Sequence, residues 1–476
     1  MEPKMTLGEV ASLLEGYGAS LLPAEKNTSL YGATSDSRKV RPGDLFCAIH
    51  GAETDGNRFI DDAIARGAYA VMTDDPDAEA FVPVLRVRPG TGYHAISRVA
   101  EAMAGYPARK LKLVGITGTC GKTTTAFLTR DLLRAGGFRT GMIGTVVYDL
   151  GNGEELHADR TTPPPFELQE LFSRLAANGV EYVVMECSSA ALDQERSGSA
   201  LFSAAAFTNF SRDHLDYHGS MEAYLDSKKK LFTEFLAPNA TAVVNVDDST
   251  GRELAEELRG SRHVVPLSLA NAESPWKTPL PGAFNQYNAT CAGLLARALG
   301  VPDEVVAEVL SKTGGAPGRL QRIECPNGAV AFVDYAHTPE EISCALDALR
   351  EECPGRLGIL FGCGGDRDRG KRPMMAQAAA KADFVWITSD NPRTEDPLAI
   401  LADVRSGMPA GCQWCEEPDR AQAIRMALSA CRPGDWLLVA GKGHEDYQEI
   451  NHVKHPFSDC EAVRAFIQSA QSPETP

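Results

Sequence analysis

No apolar run in the 476-residue sequence approaches the length needed to cross a bilayer, which takes about 20 residues. The opening stretch, MEPKMTLGEVASLLEG, carries acidic residues where a secretory leader would be basic and then apolar. A cytoplasmic protein without membrane attachment is expected. Cations are in the minority, with 47 Lys and Arg against 64 Asp and Glu and a formal charge of -17. Such a chain repels nucleic acid and anionic membranes, so an anionic ligand has to be held by local clusters of cations and backbone N–H groups. Small-molecule chemistry fits that balance. Disulfide spacing is lacking as well: the 12 cysteines run from Cys47 to Cys460 without a framework, as in a reduced cytosolic enzyme. Cys412 and Cys415 form a C-x-x-C, but no second pair completes a zinc site and no strand-to-helix context supports a redox motif. Repeats are absent, and the polar tail QSAQSPETP (468–476) is expected to fray.

What is present divides by glycine and proline. AGYPARK (104–110) and SKTGGAPGR (311–319) interrupt otherwise regular patterns and cut the chain into 1–107, 108–314 and 315–476, all ordinary domain sizes. In the last two pieces, short runs rich in Val, Ile and Phe end abruptly in polar residues and alternate with helical stretches: LKLVGIT, VEYVVMECSS, AAAFTNFS, TAVVNVDD, VAFVDYAH, LGILFGCGG, DFVWITSDN and DWLLVAGKGHE. Continuous apolar runs between helices predict parallel sheets covered on both faces, an α/β fold. In such sheets ligands sit at the carboxyl ends of the strands. The polar residues that close these runs are therefore the first candidates for chemistry.

The first run leads into GITGTCGKTTT (115–125). Glycines there let the backbone curl so that N–H groups and a helix N-terminus point at a phosphate. Gly118, Thr119, Cys120, Gly121, Lys122, Thr123 and Thr124 form the cradle, with Lys122 reaching the outer phosphates and Thr123 offering a hydroxyl to Mg2+. A helix carrying Phe127, Leu128, Leu132 and Leu133 is expected to follow and to stop at Gly136 and Gly137. A standard loop would have glycine at position 116, where this chain has Ile116; Gly115 comes one residue early. GCGGDR (362–367) is not a dinucleotide fingerprint, because its third glycine position is Arg367.

The short form TGTCGKTT resembles the loop of the Mur ligases and their folylpolyglutamate synthetase relatives. SDSRKVRPGDLF, TTPPPFELQELF, MECSSAALDQERSG, NFSRDHLDYHGSMEAYLDSKKKLF, FNQYNATCAGLLA, PGRLQRIE, VDYAHTPEEI, GCGGDRDRGKRPMM, SDNPRTEDP and GKGHEDYQ follow the same family in order along nearly the whole chain. The resemblance implies three domains: an N-terminal UDP-binding α/β domain, a central P-loop-type parallel-sheet ATPase domain and a C-terminal Rossmann-like domain. It implies a monomeric, ATP- and Mg2+-dependent ligase that adds meso-diaminopimelate to UDP-N-acetylmuramoyl-L-alanyl-D-glutamate through an acyl phosphate, in peptidoglycan precursor synthesis. Two anions meet during phosphorylation, so cations, metal included, are required.

Residue by residue, the resemblance makes Lys122, Glu186, His214 and Lys228 the catalytic set. Glu186 and His214 would bind Mg2+ with Thr123, and Lys228 would support the metal as a CO2-derived carbamate, although the run SKKK alone reads as a solvated helix face. Asn288, Arg319 and Asp334 would contact ATP; read alone, Asn288 is a helix cap. Ser37 would contact the uridine, in a stretch that otherwise reads as a basic turn before a strand. Thr161, Thr162, Ser188, Gln194 and Arg196 would contact the muramoyl dipeptide. Arg367, Asp390, Asn391, Pro392, Arg393, Gly441 and Glu445 would form the diaminopimelate site. Pro392 fixes the turn, Arg393 offers a planar fork for the distal carboxylate that lysine lacks, and Glu445 would meet the distal ammonium.

Two positions depart from the family pattern. Cys120 stands where Asn is usual, which predicts weaker ATP binding with the backbone N–H groups retained. Ala190 stands where SSH is usual and removes a polar group near the substrate. Rival readings are a lysine-adding ligase, disfavoured by Arg393, a folylpolyglutamate synthetase, disfavoured by SDSRKVRPGDLF and SDNPR, and a nucleotide-binding regulatory protein without turnover. The retained Lys122, Glu186, His214 and Lys228 speak against the last.

Overall fold

All eight apolar runs form strands. In the computed structural model, which describes residues 2–51, 54–270 and 275–471, they enter two large sheets. One has eight strands, in the order Glu155–His157, Val147–Asp149, Thr140–Ile143, Tyr182–Glu186, Lys112–Thr117, Phe202–Phe207, Leu236–Asn245, His263–Leu267. The last six are parallel, and the first two form an antiparallel edge. The other has six strands, in the order Gln321–Glu324, Val330–Asp334, Trp436–Ala440, Leu357–Phe361, Phe384–Ile387, Trp414–Glu416, parallel except for its first pair. Burial on both faces explains why these strands carry continuous apolar runs.

The chain groups into two compact units, residues 1–273 with 291–305 and residues 274–290 with 306–476. The first unit also contains a four-stranded parallel sheet, Gly32–Thr34, Asp44–Ala48, Ala70–Thr73 and Val84–Arg86. Helices Leu7–Leu13 and Gly92–Met103 cover it with Leu7, Val10, Ile96 and Val99. Helix Gly92–Met103 also holds the segment 193–199. Ser97 Oγ donates to the Gln194 carbonyl at 3.2 Å, Arg98 pairs with Glu195 at 3.2 Å, and Glu101 Oε2 accepts from Ser199 N at 2.7 Å.

Gly115 is a packing residue of the strand, not a displaced loop glycine. A Cβ there would lie 2.8 Å from Phe202 Cδ1 and 2.9 Å from Leu231 Cδ1. The helix after the loop runs Lys122–Ala135 and buries Phe127, Leu128, Leu132 and Leu133 before Gly136 caps it. In the second unit a fully buried Arg420 meets Asp459 through two bonds, at 2.7 and 2.8 Å. Its remaining donors reach the carbonyls of Ser389 and Ala440 at two strand ends. Losing either partner would strand a buried charge, at a cost of roughly 3–5 kcal/mol.

Two expectations need correction. Helix Asp459–Gln471 extends through the start of the tail expected to fray, and residues 472–476 lie outside the described residues. Asn288 is buried within helix Ala283–Ala298, so it is not a cap. All 12 cysteines are free thiols. Among the described residues no helix is long and apolar enough to cross a membrane.

Candidate active site

In the first unit, strand Lys112–Thr117 ends in a loop that the neighbouring strand end holds in shape. Gly118 has φ 143° and Gly121 φ 85°, both in the region where a side chain is strained, and a Cβ on Gly118 would lie 2.0 Å from Thr208 Oγ1. Asn209 clamps the loop: its Oδ1 accepts from Cys120 N at 2.9 Å, its Nδ2 donates to the Cys120 carbonyl at 3.1 Å, and its own carbonyl accepts from Thr119 N at 2.9 Å. The N–H groups of Thr119 and Cys120 are thus engaged within the protein. This corrects the expectation that Cys120 N–H faces phosphate. The first turn of helix Lys122–Ala135, which opens directly after the loop, is the part whose geometry suits an anion. Lys122 Nζ donates to the carbonyls of Gly118 and Thr119 at 3.0 and 2.8 Å.

Glu186 closes the adjacent strand with 0% exposure. Its Oε2 accepts from Thr123 Oγ1 at 2.9 Å and Thr145 Oγ1 at 3.0 Å, and its Oε1 from Thr145 N at 2.8 Å. Among the described residues no Lys, Arg or His pairs with this carboxylate. A buried carboxylate served only by hydroxyl and amide donors, beside a threonine hydroxyl, is a hard-oxygen set suited to Mg2+. Thr145 Oγ1 continues to Thr161 Oγ1 at 3.0 Å, and Thr162 Oγ1 donates to the Glu186 carbonyl at 2.7 Å and accepts from Ser188 N at 3.1 Å. Arg196 donates to the Thr162 carbonyl at 2.5 Å and to Gln194 Oε1 at 2.9 Å. Burial, followed by the charge of Arg160, lowers the Arg196 pKa. The Arg160 charge thus acts on Arg196, and two like charges that feel each other suit an anion. Ser37 sits buried on the turn Ser37–Lys39, after strand Gly32–Thr34 of the four-stranded sheet.

Lys228 is singled out from its run by burial. It is 1% exposed, whereas Lys229 pairs with Glu257 and Lys230 with Asp193 on more open surface. The solvated-face reading therefore fails for this one residue. Lys228 Nζ donates to the Gly118 carbonyl at 2.7 Å and lies 4.5 Å from the centre of the Tyr224 ring. Burial, and then the Lys122 charge, hold its amine well below the ordinary lysine range. His214, exposed and at φ 52°, sets its ring against the same tyrosine at 5.9 Å. Among the described residues no three His, Cys, Asp or Glu side chains gather as a metal group. A cavity of about 680 Å³ at the other edge of this sheet, between Arg252, Arg259 and His263, contains none of the candidate residues.

In the second unit, Asp334 Oδ2 accepts from Leu320 N at 2.6 Å and the Asp334 carbonyl from Gly441 N at 3.1 Å. Burial raises the Asp334 pKa and the nearby Arg319 opposes it. The Arg319 guanidinium lies over the Tyr335 ring at 4.9 Å. At the neighbouring strand ends, Asn391 Nδ2 donates to Glu445 Oε2 at 2.9 Å. A Cβ on Gly364 would lie 2.9 Å from Arg393 Nη1 and 3.8 Å from Arg367 Cγ, so the two arginines flank one glycine. Arg393, at φ 51° after Pro392, donates to the Gly365 carbonyl at 2.7 Å and pairs with Glu449 at 3.4 Å. The distal carboxylate expected at Arg393 would therefore share it with Glu449. A Cβ on Gly441 would lie 2.7 Å from Asp390 Oδ2, a buried oxygen without a hydrogen-bond partner.

Residues 29–114 match the Mur ligase family catalytic domain, 116–277 the Mur ligase middle domain, and 318–443 the Mur ligase glutamate ligase domain. A Gloeobacter violaceus protein named UDP-N-acetylmuramoyl-L-alanyl-D-glutamate--2,6-diaminopimelate ligase is 41% identical over 500 residues, 99% of each chain. The chain belongs to the Mur ligase family. A protein of the same name from Ectopseudomonas mendocina is 42% identical over 92% of this Mur ligase and 95% of its own length. A solved structure of a ligase of that name aligns with a TM-score of 0.68 at 32% identity, covering 98% of this chain and 99% of that one.

In this Mur ligase the structure joins Thr123, Glu186, Thr161, Thr162, Ser188, Gln194 and Arg196 into one bonded network, and Lys122 with Lys228 at the Gly118 carbonyl. In the second unit it joins Asn391 to Glu445, and Asp334 to Gly441. Sequence reasoning missed Thr145, Asn209, Tyr224 and Glu449. Thr145 closes the run TGMIGT, so the rule applied to the other strand ends would have found it.

Proposed function

We propose that this Mur ligase uses ATP to join meso-diaminopimelate to UDP-N-acetylmuramoyl-L-alanyl-D-glutamate. The observation that carries the choice of amino acid is the placement of Arg367 and Arg393 around Gly364, beside the bonded Asn391 and Glu445. Paired guanidinium forks match a carboxylate, and the distal end of diaminopimelate has one where lysine has none. A substrate carboxylate oxygen takes the γ-phosphoryl group and ADP leaves. The amine nitrogen then attacks the acyl carbon, loses a proton, and phosphate departs. Lys122 and the opening turn of its helix hold the phosphates, while Thr161, Thr162 and Arg196 orient the dipeptide carboxylates. Thr123, Glu186 and His214 would hold Mg2+, which would supply positive charge as the two anions meet.

Lys228 is proposed to carry a carbamate, formed when its neutral amine adds CO2 and releases a proton. The buried, low-pKa amine supports this, since only the unprotonated form is nucleophilic. Protein equilibrated with 13C-bicarbonate should show a carbamate carbon resonance that Lys228→Arg lacks; a wild-type spectrum without it sinks the modification.

The reaction is tested by phosphate release from ATP, Mg2+ and UDP-N-acetylmuramoyl-L-alanyl-D-glutamate, comparing meso-diaminopimelate with L-lysine. Release with diaminopimelate alone is expected. Release with lysine keeps the ligase but discards this choice of amino acid, and release with neither favours a binding protein.

A further inference from the structure

Lys442 lies inside the GKGHE stretch between two residues assigned to the amino acid, Gly441 and Glu445, and has no role so far. It is 0% exposed. A fully buried lysine is rare and has to be explained by what it meets. Its Nζ donates to Glu445 Oε2 at 2.9 Å and to Asn391 Oδ1 at 3.2 Å, and lies 5.5 Å from the centre of the Tyr447 ring. Asn391 Nδ2 donates to the same Glu445 oxygen at 2.9 Å, which closes a triangle of three side chains from two strand ends.

The triangle settles two orientations. Asn391 Oδ1 accepts from both Lys442 Nζ and Glu449 N, the latter at 2.9 Å, so the amide cannot turn over without facing donors with donors. Both bonds to Glu445 fall on Oε2, which leaves Oε1 as the oxygen for an incoming ammonium. Charge is settled as well. Lys442 balances Glu445, and with Arg367 and Arg393 counted against Glu449 and the buried Asp390 the charges named at this site cancel while Lys442 is present.

We propose that Lys442 is a positioning and specificity-determining residue of the amino-acid site, acting through Glu445 and Asn391. The inference rests on the reading that this site takes diaminopimelate. The distal end of diaminopimelate carries an ammonium and a carboxylate and is neutral overall, which suits a pocket whose glutamate is already balanced. The distal end of lysine carries an ammonium alone. Removing Lys442 makes the pocket more negative by one charge and frees Glu445 to turn, which weakens the hold on diaminopimelate and favours lysine.

The test is Lys442→Met, which keeps most of the buried volume. The Michaelis constant for diaminopimelate should rise about tenfold or more, since one partner of a buried charge pair is gone. That for ATP should stay within about twofold, and L-lysine, as substrate or competitive inhibitor, should bind more tightly than to the wild type. A packing defect would weaken both amino acids alike, so parallel losses, or an unchanged diaminopimelate constant, overturn the proposal. Should the methionine variant fold poorly, Glu445→Gln and Glu445→Gln/Lys442→Met are compared in their soluble fractions. If Lys442 acts through Glu445, the second substitution adds less than about twofold, and independent losses that multiply overturn it. If wild-type protein uses lysine and not diaminopimelate, the reading of the site fails, while the opposed shifts still decide the role of Lys442.

Discussion

Lys122→Ala is expected to lower ATP-dependent phosphate release by about 10²–10³-fold, the usual cost of removing one preorganised charge from a developing anion. The ammonium has a defined place: it lies on its own loop, 3.0 and 2.8 Å from the carbonyls of Gly118 and Thr119, at the start of the helix that would face the phosphates. Removing it deletes two bonds to a loop that Asn209 and Thr208 hold independently. The thermal midpoint should therefore move by only a few degrees, by the ordinary conversion of about 1 kcal/mol. Activity lost with stability retained identifies a charge that acts on the nucleotide. Turnover at the wild-type level with ATP at saturation would remove the loop from the mechanism, whatever the strength of the family match.

Arg393→Ala is expected to raise the Michaelis constant for diaminopimelate by about 10²-fold, corresponding to a charge-assisted bond of roughly 1.5–3 kcal/mol and the stranded partner carboxylate. The constant for ATP should change by less than about twofold, since Arg393 shares no bond with Arg319 or Asp334. Selectivity over lysine should collapse at the same time, because lysine offers no carboxylate for the guanidinium to meet. Arg393→Lys should recover only part of the loss. An ammonium has three donors but not the planar fork that meets both oxygens of a carboxylate in parallel while donating to the Gly365 carbonyl. An unaltered amino-acid profile in the alanine variant would take Arg393 out of the site and leave it a structural contact to Glu449 and the Gly365 carbonyl.

The sheets were legible because each strand announces itself in a single stretch of chain. LKLVGIT or DWLLVAGKGHE needs no knowledge of its neighbours to be read as a buried strand with chemistry at its end. The loop was legible for the same reason, whereas Glu186, His214 and Lys228 were named only through the family resemblance. What stayed hidden depends on partners far away in sequence. Lys228 looks like its two neighbours until the fold buries it against Gly118, 110 positions earlier. Asn209 is an ordinary strand-end polar residue until its amide meets Cys120 from 89 positions away. Lys442 and Glu449 join the proposed amino-acid site only through Asn391, and nothing in the sequence shows that Phe202 lies over Gly115.

The clamp on the loop has a consequence for how position 120 can evolve. Asn209 grips the backbone of residue 120 on both its N–H and its carbonyl, and Thr208 adds a second bond to that carbonyl at 2.6 Å. The side chain of Cys120 itself points into exposed surroundings. Residues 208 and 209 therefore hold the loop at position 120 through its backbone. Substitution there is buffered by a template on another strand, which explains how a cysteine can occupy an asparagine position without reshaping the nest. It also makes Asn209, rather than the varied residue, the point at which the loop is vulnerable to mutation.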